Sequence, residues 1–121
     1  MLSTNLGFNG NAKEAMEFYG DVFGYEITEN DIWLGENNQV AHGELKIYGN
    51  TLMFTDIEHE VQHFAGFSLS INLTDGAELH ERFSKMSVGA EILMSIGKVE
   101  WSECYGLLKD KFGVTWQFNL D

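Results

Sequence analysis

Hydrophobic positions change period along this chain, and each change marks an element. Leu6 and Phe8 alternate with Asn5, Gly7 and Asn9, the period of two expected of a half-buried strand. Ala12, Ala15, Met16, Tyr19, Val22 and Phe23 then recur at helical spacing, giving a helix with one side fit to cover a sheet. Asn11 and Glu14 stand at capping-box distance, and Gly24 is placed to end the helix in a left-handed conformation. Three strands are predicted next, near residues 25–33, 41–48 and 51–56. A second series follows: a strand at 67–73, a helix at 76–87 carried by Leu79, Phe83 and Met86 with Asp75 and Glu78 at its start, and strands near 91–98, 103–110 and 114–120.

The two series are copies. Moved along itself by 65 positions, F-Y-G-D-V-F-G-Y-E-I from Phe18 lies over F-S-K-M-S-V-G-A-E-I from Phe83, with Phe, Gly, Glu and Ile coincident. At a shift of 63 to 64, Leu45-Lys46 meets Leu108-Lys109, Gly49 meets Gly113 and Phe54 meets Phe118. The offset changes at the Gly49 and Gly113 turns, where a hairpin absorbs an inserted residue. The fold class is therefore α+β: two tandem βαβββ modules, expected to form a curved, mostly antiparallel eight-stranded sheet with helices on its outer face. Module 1 covers 1–57, a linker 58–66, and module 2 67–121, in a single domain of 121 residues.

Composition narrows the partners. Hydrophobic residues make up 44% of the chain, enough for a core, and no apolar run reaches the length of a membrane span. No charged-then-apolar leader opens it. The single cysteine, Cys104, excludes an internal disulfide framework and fits a cytoplasmic location. A net charge of −12 opposes nucleic acid and anionic membrane, and leaves a small or cationic partner open beside plain solubility.

One string suggests a different chemistry. Residues 59–66 read H-E-V-Q-H-F-A-G, the H-E-x-x-H of zinc proteases with a following Gly. That motif needs both histidines on one face of a long buried helix, and about ten residues separate the flanking strands. Where a third histidine would follow the Gly stands Leu69, which the alternation Phe67, Leu69, Ile71, Leu73 assigns to the core; His80 lies on the second helix. The segment reads as an acidic, solvated linker. Adventitious metal capture by His59 and His63 stays open and is not a function. No glycine-rich nucleotide loop follows a strand, and no phosphate-cradling motif occurs.

The words F-N-G-N-A-K-E-A-M-E-F-Y, H-G-E-L-K-I and W-S-E-C-Y-G-L-L-K-D-K-F-G-V-T-W resemble the PhnB-like branch of the vicinal oxygen chelate superfamily, which includes glyoxalases, bleomycin-resistance proteins and extradiol dioxygenases. That branch shares an N-A-x-x-A-x-x-F-Y helix, an H-A-E-L strand and a closing D-x-F-G-x-x-W; Gly43 stands here where Ala is usual. The resemblance implies a homodimer, with modules pairing within or between chains, and a metal held by the first and last strand of each module. Strand parity puts those ligand positions at Ser3, Met53, Ser68 and Gln117, none of them His, Asp or Glu. Neutral hydroxyl, amide and thioether groups hold hard or borderline divalent ions poorly. No metal and no cofactor is therefore expected.

Parity and resemblance together nominate a ligand-binding set: Trp33, His42, Glu44, Met53, Trp101, Glu103, Tyr105 and Gln117. His42 and Glu44 project to the same face, either as an acid–base pair or as a hydrogen-bonded pair at a rim or dimer contact. Trp33 and Trp101 either stack a planar ligand or pack. Trp116 belongs to the core. Cys104 has no histidine nearby in sequence and reads as a structural thiol. The function expected is metal-free binding of an unidentified small molecule, as in the bleomycin-resistance type. The alternative is a lyase or isomerase-type enzyme using His42 and Glu44 or a non-standard metal site.

Overall fold

A computed structural model describes residues 2–57 and 64–121, so the His59–His63 string lies outside the described residues. The chain divides into two compact units, Met1–Gln62 and His63–Asp121.

In the first unit, β1 (Thr4–Phe8) leads into α1 (Ala12–Phe23), followed by β2 (Ile32–Leu34), β3 (Val40–Ile47) and β4 (Asn50–Asp56). The sheet order is β1-β4-β3-β2, with β1 parallel to β4 and the other pairs antiparallel. A parallel pair needs a crossover, and α1 supplies it. Its apolar side buries Ala12, Ala15, Met16, Tyr19 and Val22 completely, over Leu6, Phe8, Leu52 and Phe54 of the sheet. Phe54 is the centre of this core, its ring 5.9 Å from those of both Phe8 and Tyr19. Gly24 ends the helix at φ 77°, a left-handed conformation that a side chain would resist.

The second unit repeats the plan with β5 (Leu69–Leu73), α2 (Gly76–Met86), β6 (Glu91–Val99), β7 (Ser102–Lys109) and β8 (Thr115–Leu120), in the order β5-β8-β7-β6. The eight strands thus form two four-stranded mixed sheets. Their registers are the same: Thr4 pairs with Leu52 as Leu69 pairs with Trp116, and Gly43 pairs with Phe54 as Gly106 pairs with Phe118. Even the closing bonds correspond, Ile57 N to Phe8 O and Asp121 N to Leu73 O. Gly43 and Gly106 lie at equivalent places beneath the helices. A Cβ there would stand 2.5 Å from Met16 Sδ and 2.5 Å from Phe83 Cε2 respectively, so each glycine lets a helix side chain rest on the strand.

Three local expectations need correction. Asn11 makes no side-chain cap: its φ of −117° and ψ of 21° are not the extended conformation of a capping residue. The Asp56 carboxylate at the end of β4 takes over, accepting from Gly10 N (2.9 Å) and Ala12 N (3.0 Å) with Oδ1 and from Val40 N (2.9 Å) with Oδ2. The strand predicted at 25–33 shrinks to Ile32–Leu34, because Thr28 and Asp31 form a capping box that opens a 3₁₀ turn at Glu29–Asp31. Likewise β5 begins at Leu69, two residues later than expected. By contrast Asp75 caps α2 as predicted, accepting from Ala77 N and Glu78 N.

Candidate functional site

Each sheet has one face turned to its helix and one turned away, and Trp33, His42, Glu44 and Met53 of the first unit and Tyr105 and Gln117 of the second lie on the face turned away. In the first unit the antiparallel pairing sets Trp33 opposite His42 and Glu44 opposite Met53. Side chains directly opposite share a face, so these four form one surface. The Trp33 ring lies 5.5 Å from the His42 ring, and His42 Nε2 is 3.0 Å from Glu44 Oε2. A neutral imidazole meets a carboxylate through N–H, which makes Nε2 the donor and leaves Nδ1 as an acceptor. Beside Met53, Thr55 Oγ1 donates to Asn5 Oδ1 at 3.3 Å. The surface is wet: Trp33 is 53% exposed, and the His42 and Glu44 side chains are about two-fifths exposed (38% and 42%).

The second unit builds its face differently from equivalent places. A shift of 63 carries His42 to Tyr105, and a shift of 64 carries Met53 to Gln117. Tyr105 donates its hydroxyl proton to Gln117 Oε1 (2.9 Å), and Gln117 Nε2 donates to Ser68 Oγ (2.7 Å). The chain of bonds has a direction. It uses the phenol's proton and leaves the Ser68 proton free to donate onward. Trp101 stands edge-on to Tyr105 at 5.1 Å, so both units place an indole against the ring at this strand position. They do so by different routes, since Trp33 comes from the paired strand and Trp101 from the turn between β6 and β7. Glu103 stands apart from this group, with Oε1 3.6 Å from Lys98 Nζ in an exposed pair.

The superfamily's ligand positions can be tested against these contacts. Gln117 and Ser68 are bonded to each other, Ser3 offers a hydroxyl and Met53 a thioether. Such a donor set does not fit a hard divalent ion, and no step is routed through one.

Sequence reasoning missed several polar groups. Asp110, 4% exposed, accepts from Phe112 N (2.8 Å) and Val114 N (3.0 Å) with Oδ1 and from Trp116 Nε1 (2.8 Å) with Oδ2. The closing D-x-F-G-x-x-W word is thus a hairpin brace; the signal was a core Trp whose N–H needed a partner. Cys104 does have a histidine beside it, His80 of α2, with Nε2 3.7 Å from Sγ. Burial pushes the Cys104 thiol up from its ordinary pKa, so it stays protonated at neutral pH.

The profile of a family described as 3-demethylubiquinone-9 3-methyltransferase matches residues 1–119. The chain belongs to this family. It is a member of the vicinal oxygen chelate superfamily, in the PhnB-like branch. The PhnB protein from Bacillus cereus is 31% identical, with a TM-score of 0.85 over 99% of this chain and 98% of its own. Protein PA1353 from Pseudomonas aeruginosa is 25% identical at a TM-score of 0.87, covering 100% and 97%. Protein YjdN of Escherichia coli (strain K12) is 25% identical over 98% of this chain and 94% of its own. The fold alone is shared with a glyoxalase-related enzyme from Fulvimarina pelagi, at 14% identity and a TM-score of 0.70 over 100% and 88%. Among the described residues of this family member, no helix is long and apolar enough to cross a membrane.

Proposed function

We propose that this PhnB-like protein binds a small planar or cationic molecule on its aromatic sheet faces, without a metal, as a cytoplasmic homodimer. The observation that carries the reading is the bonding of Gln117 to both Ser68 and Tyr105, where relatives of the wider superfamily are expected to hold metal ligands. A position whose polar atoms are paired to each other recognises ligands by shape and hydrogen bonds. The exposed Trp33 and Trp101 rings supply flat apolar area, and Glu44 supplies negative charge beside one of them. The methyl transfer in the family's description is not part of this reading.

A thermal-shift screen of aromatic and cationic compounds tests it, followed by titration of the hits. Binding is expected to weaken by about tenfold in Trp33→Ala, the loss of roughly 1–1.5 kcal/mol of ring contact. A well-folded dimer silent to the whole screen would overturn the reading, and a monomer by light scattering would remove the dimer from it.

One observation favours a second reading. The 3.0 Å His42–Glu44 pair has the geometry of an imidazole oriented by a carboxylate, an arrangement in which Nδ1 of the neutral ring serves as a general base. An enzyme of lyase or isomerase type would use it. Elemental analysis of untagged protein separates the readings further, since stoichiometric zinc, iron or manganese would point to an enzyme with ligands other than those named here.

A further inference from the structure

A concavity of the first unit lies on the side of the sheet opposite Trp33 and His42, between α1 and the segment entering β2. Its volume is about 580 Å3, within the usual range for small-molecule sites. Ile27, Ile32 and Leu34 give it an apolar floor, and Leu34 is 54% exposed. Around them stand three carboxylates, Glu17, Asp21 and Glu29, with one ammonium, Lys13.

The walls are fixed before any ligand arrives. A Cβ on Gly20 would come 2.7 Å from the Tyr25 carbonyl oxygen and 3.1 Å from Ile27 Cγ1, so the returning chain lies directly on the helix there. The Tyr25 hydroxyl accepts from Tyr48 N at 2.9 Å, which pins the ring. Thr28 donates to Asp31 from both its backbone N (2.8 Å) and its hydroxyl (3.2 Å), which holds the rim carrying Glu29. A preformed groove loses little entropy on binding. Three carboxylates against one ammonium leave the rim acidic. The net charge of −12 draws cations toward it from a distance.

We propose that this groove binds an aliphatic organic cation. The hydrocarbon lies on Ile27, Ile32 and Leu34, and the ammonium sits among the Glu17, Asp21 and Glu29 carboxylates. The site is separate from the face of Trp33, His42 and Glu44, because Ile32 pairs with Gly43 and shares the helix side of the sheet.

Hexylammonium is the probe and hexanoate its control, with the same apolar body and the opposite charge. Two-dimensional amide NMR of the full chain should show saturable hexylammonium shifts within residues 17–34. Glu17→Gln with Glu29→Gln should weaken that binding by about fivefold, as expected for two exposed charges. Leu34→Ala should weaken it too, while Trp33→Ala with Glu44→Gln should leave it unchanged. The proposal falls if no shift saturates, if hexanoate binds equally well, or if the Trp33 and Glu44 substitutions abolish binding and the rim substitutions do not. The same spectra report whether each variant folds.

Discussion

At the scale of single residues, two carboxylates hold backbone turns in place. Asp56 ties the start of α1 to the start of β3, and Asp110 braces the last hairpin against the indole of Trp116. The two are not alike in context. Asp110 is buried and Asp56 is only partly so, which makes the three donors around Asp110 costlier to strand. Replacing Asp110 by Asn forces an amide N–H₂ toward a group that itself donates. A loss of about 2–3 kcal/mol is expected, a fall in Tm of roughly 10 °C for a chain of this size. Calorimetry checks it, and a fall of less than a few degrees would mean that the brace is dispensable. These residues were hard to read from sequence because an Asp at a strand end looks like ordinary turn punctuation. Only the geometry shows that its oxygens point inward. His80 and Cys104 illustrate the same limit: 24 positions apart, they meet because α2 lies over the sheet.

At the scale of elements, periodicity was legible wherever one face is buried and the other wet. Leu6 and Phe8, the α1 stripe, and Trp116 with Phe118 all fall in the core as their spacing predicts. The failures came where local side-chain bonding beat strand propensity, as in the Thr28–Asp31 turn that replaces most of a predicted strand. The repeat predicted more than elements, since its shifts of 63, 64 and 65 are the differences between the two sheet registers. That duplication invites a comparison of Gly43 and Gly106. Met16 is a flexible thioether and Phe83 a rigid ring. Gly106→Ala should therefore cost about 1–3 kcal/mol of overpacking, and Gly43→Ala clearly less. The urea midpoints of the two variants decide this. Equal midpoints would show that Met16 has no more room to yield than Phe83.

At the scale of the whole molecule, charge dominates. Nineteen acids face seven Lys and Arg residues, and several Lys and Arg ion pairs among the described residues are of a weak kind. Arg82–Glu78 spans 3.9 Å, Lys85–Glu81 4.0 Å and Lys98–Glu103 3.6 Å, all with partly or largely exposed side chains. Such pairs contribute about 0–1 kcal/mol each, whereas repulsion among the excess carboxylates acts on the folded chain as a whole. Screening should therefore stabilise this protein. Raising sodium chloride from about 20 mM to about 300 mM shortens the screening length from roughly 20 Å to roughly 6 Å, and Tm should rise by a few degrees. The same screening weakens attraction between the carboxylate-rimmed groove and a cation, so the affinity for hexylammonium should fall over that range. Stability and cation affinity then respond to salt with opposite signs, which separates an electrostatic site from one that only gains as the fold tightens. Affinity rising together with Tm would mean that the probe is held by its hydrocarbon alone.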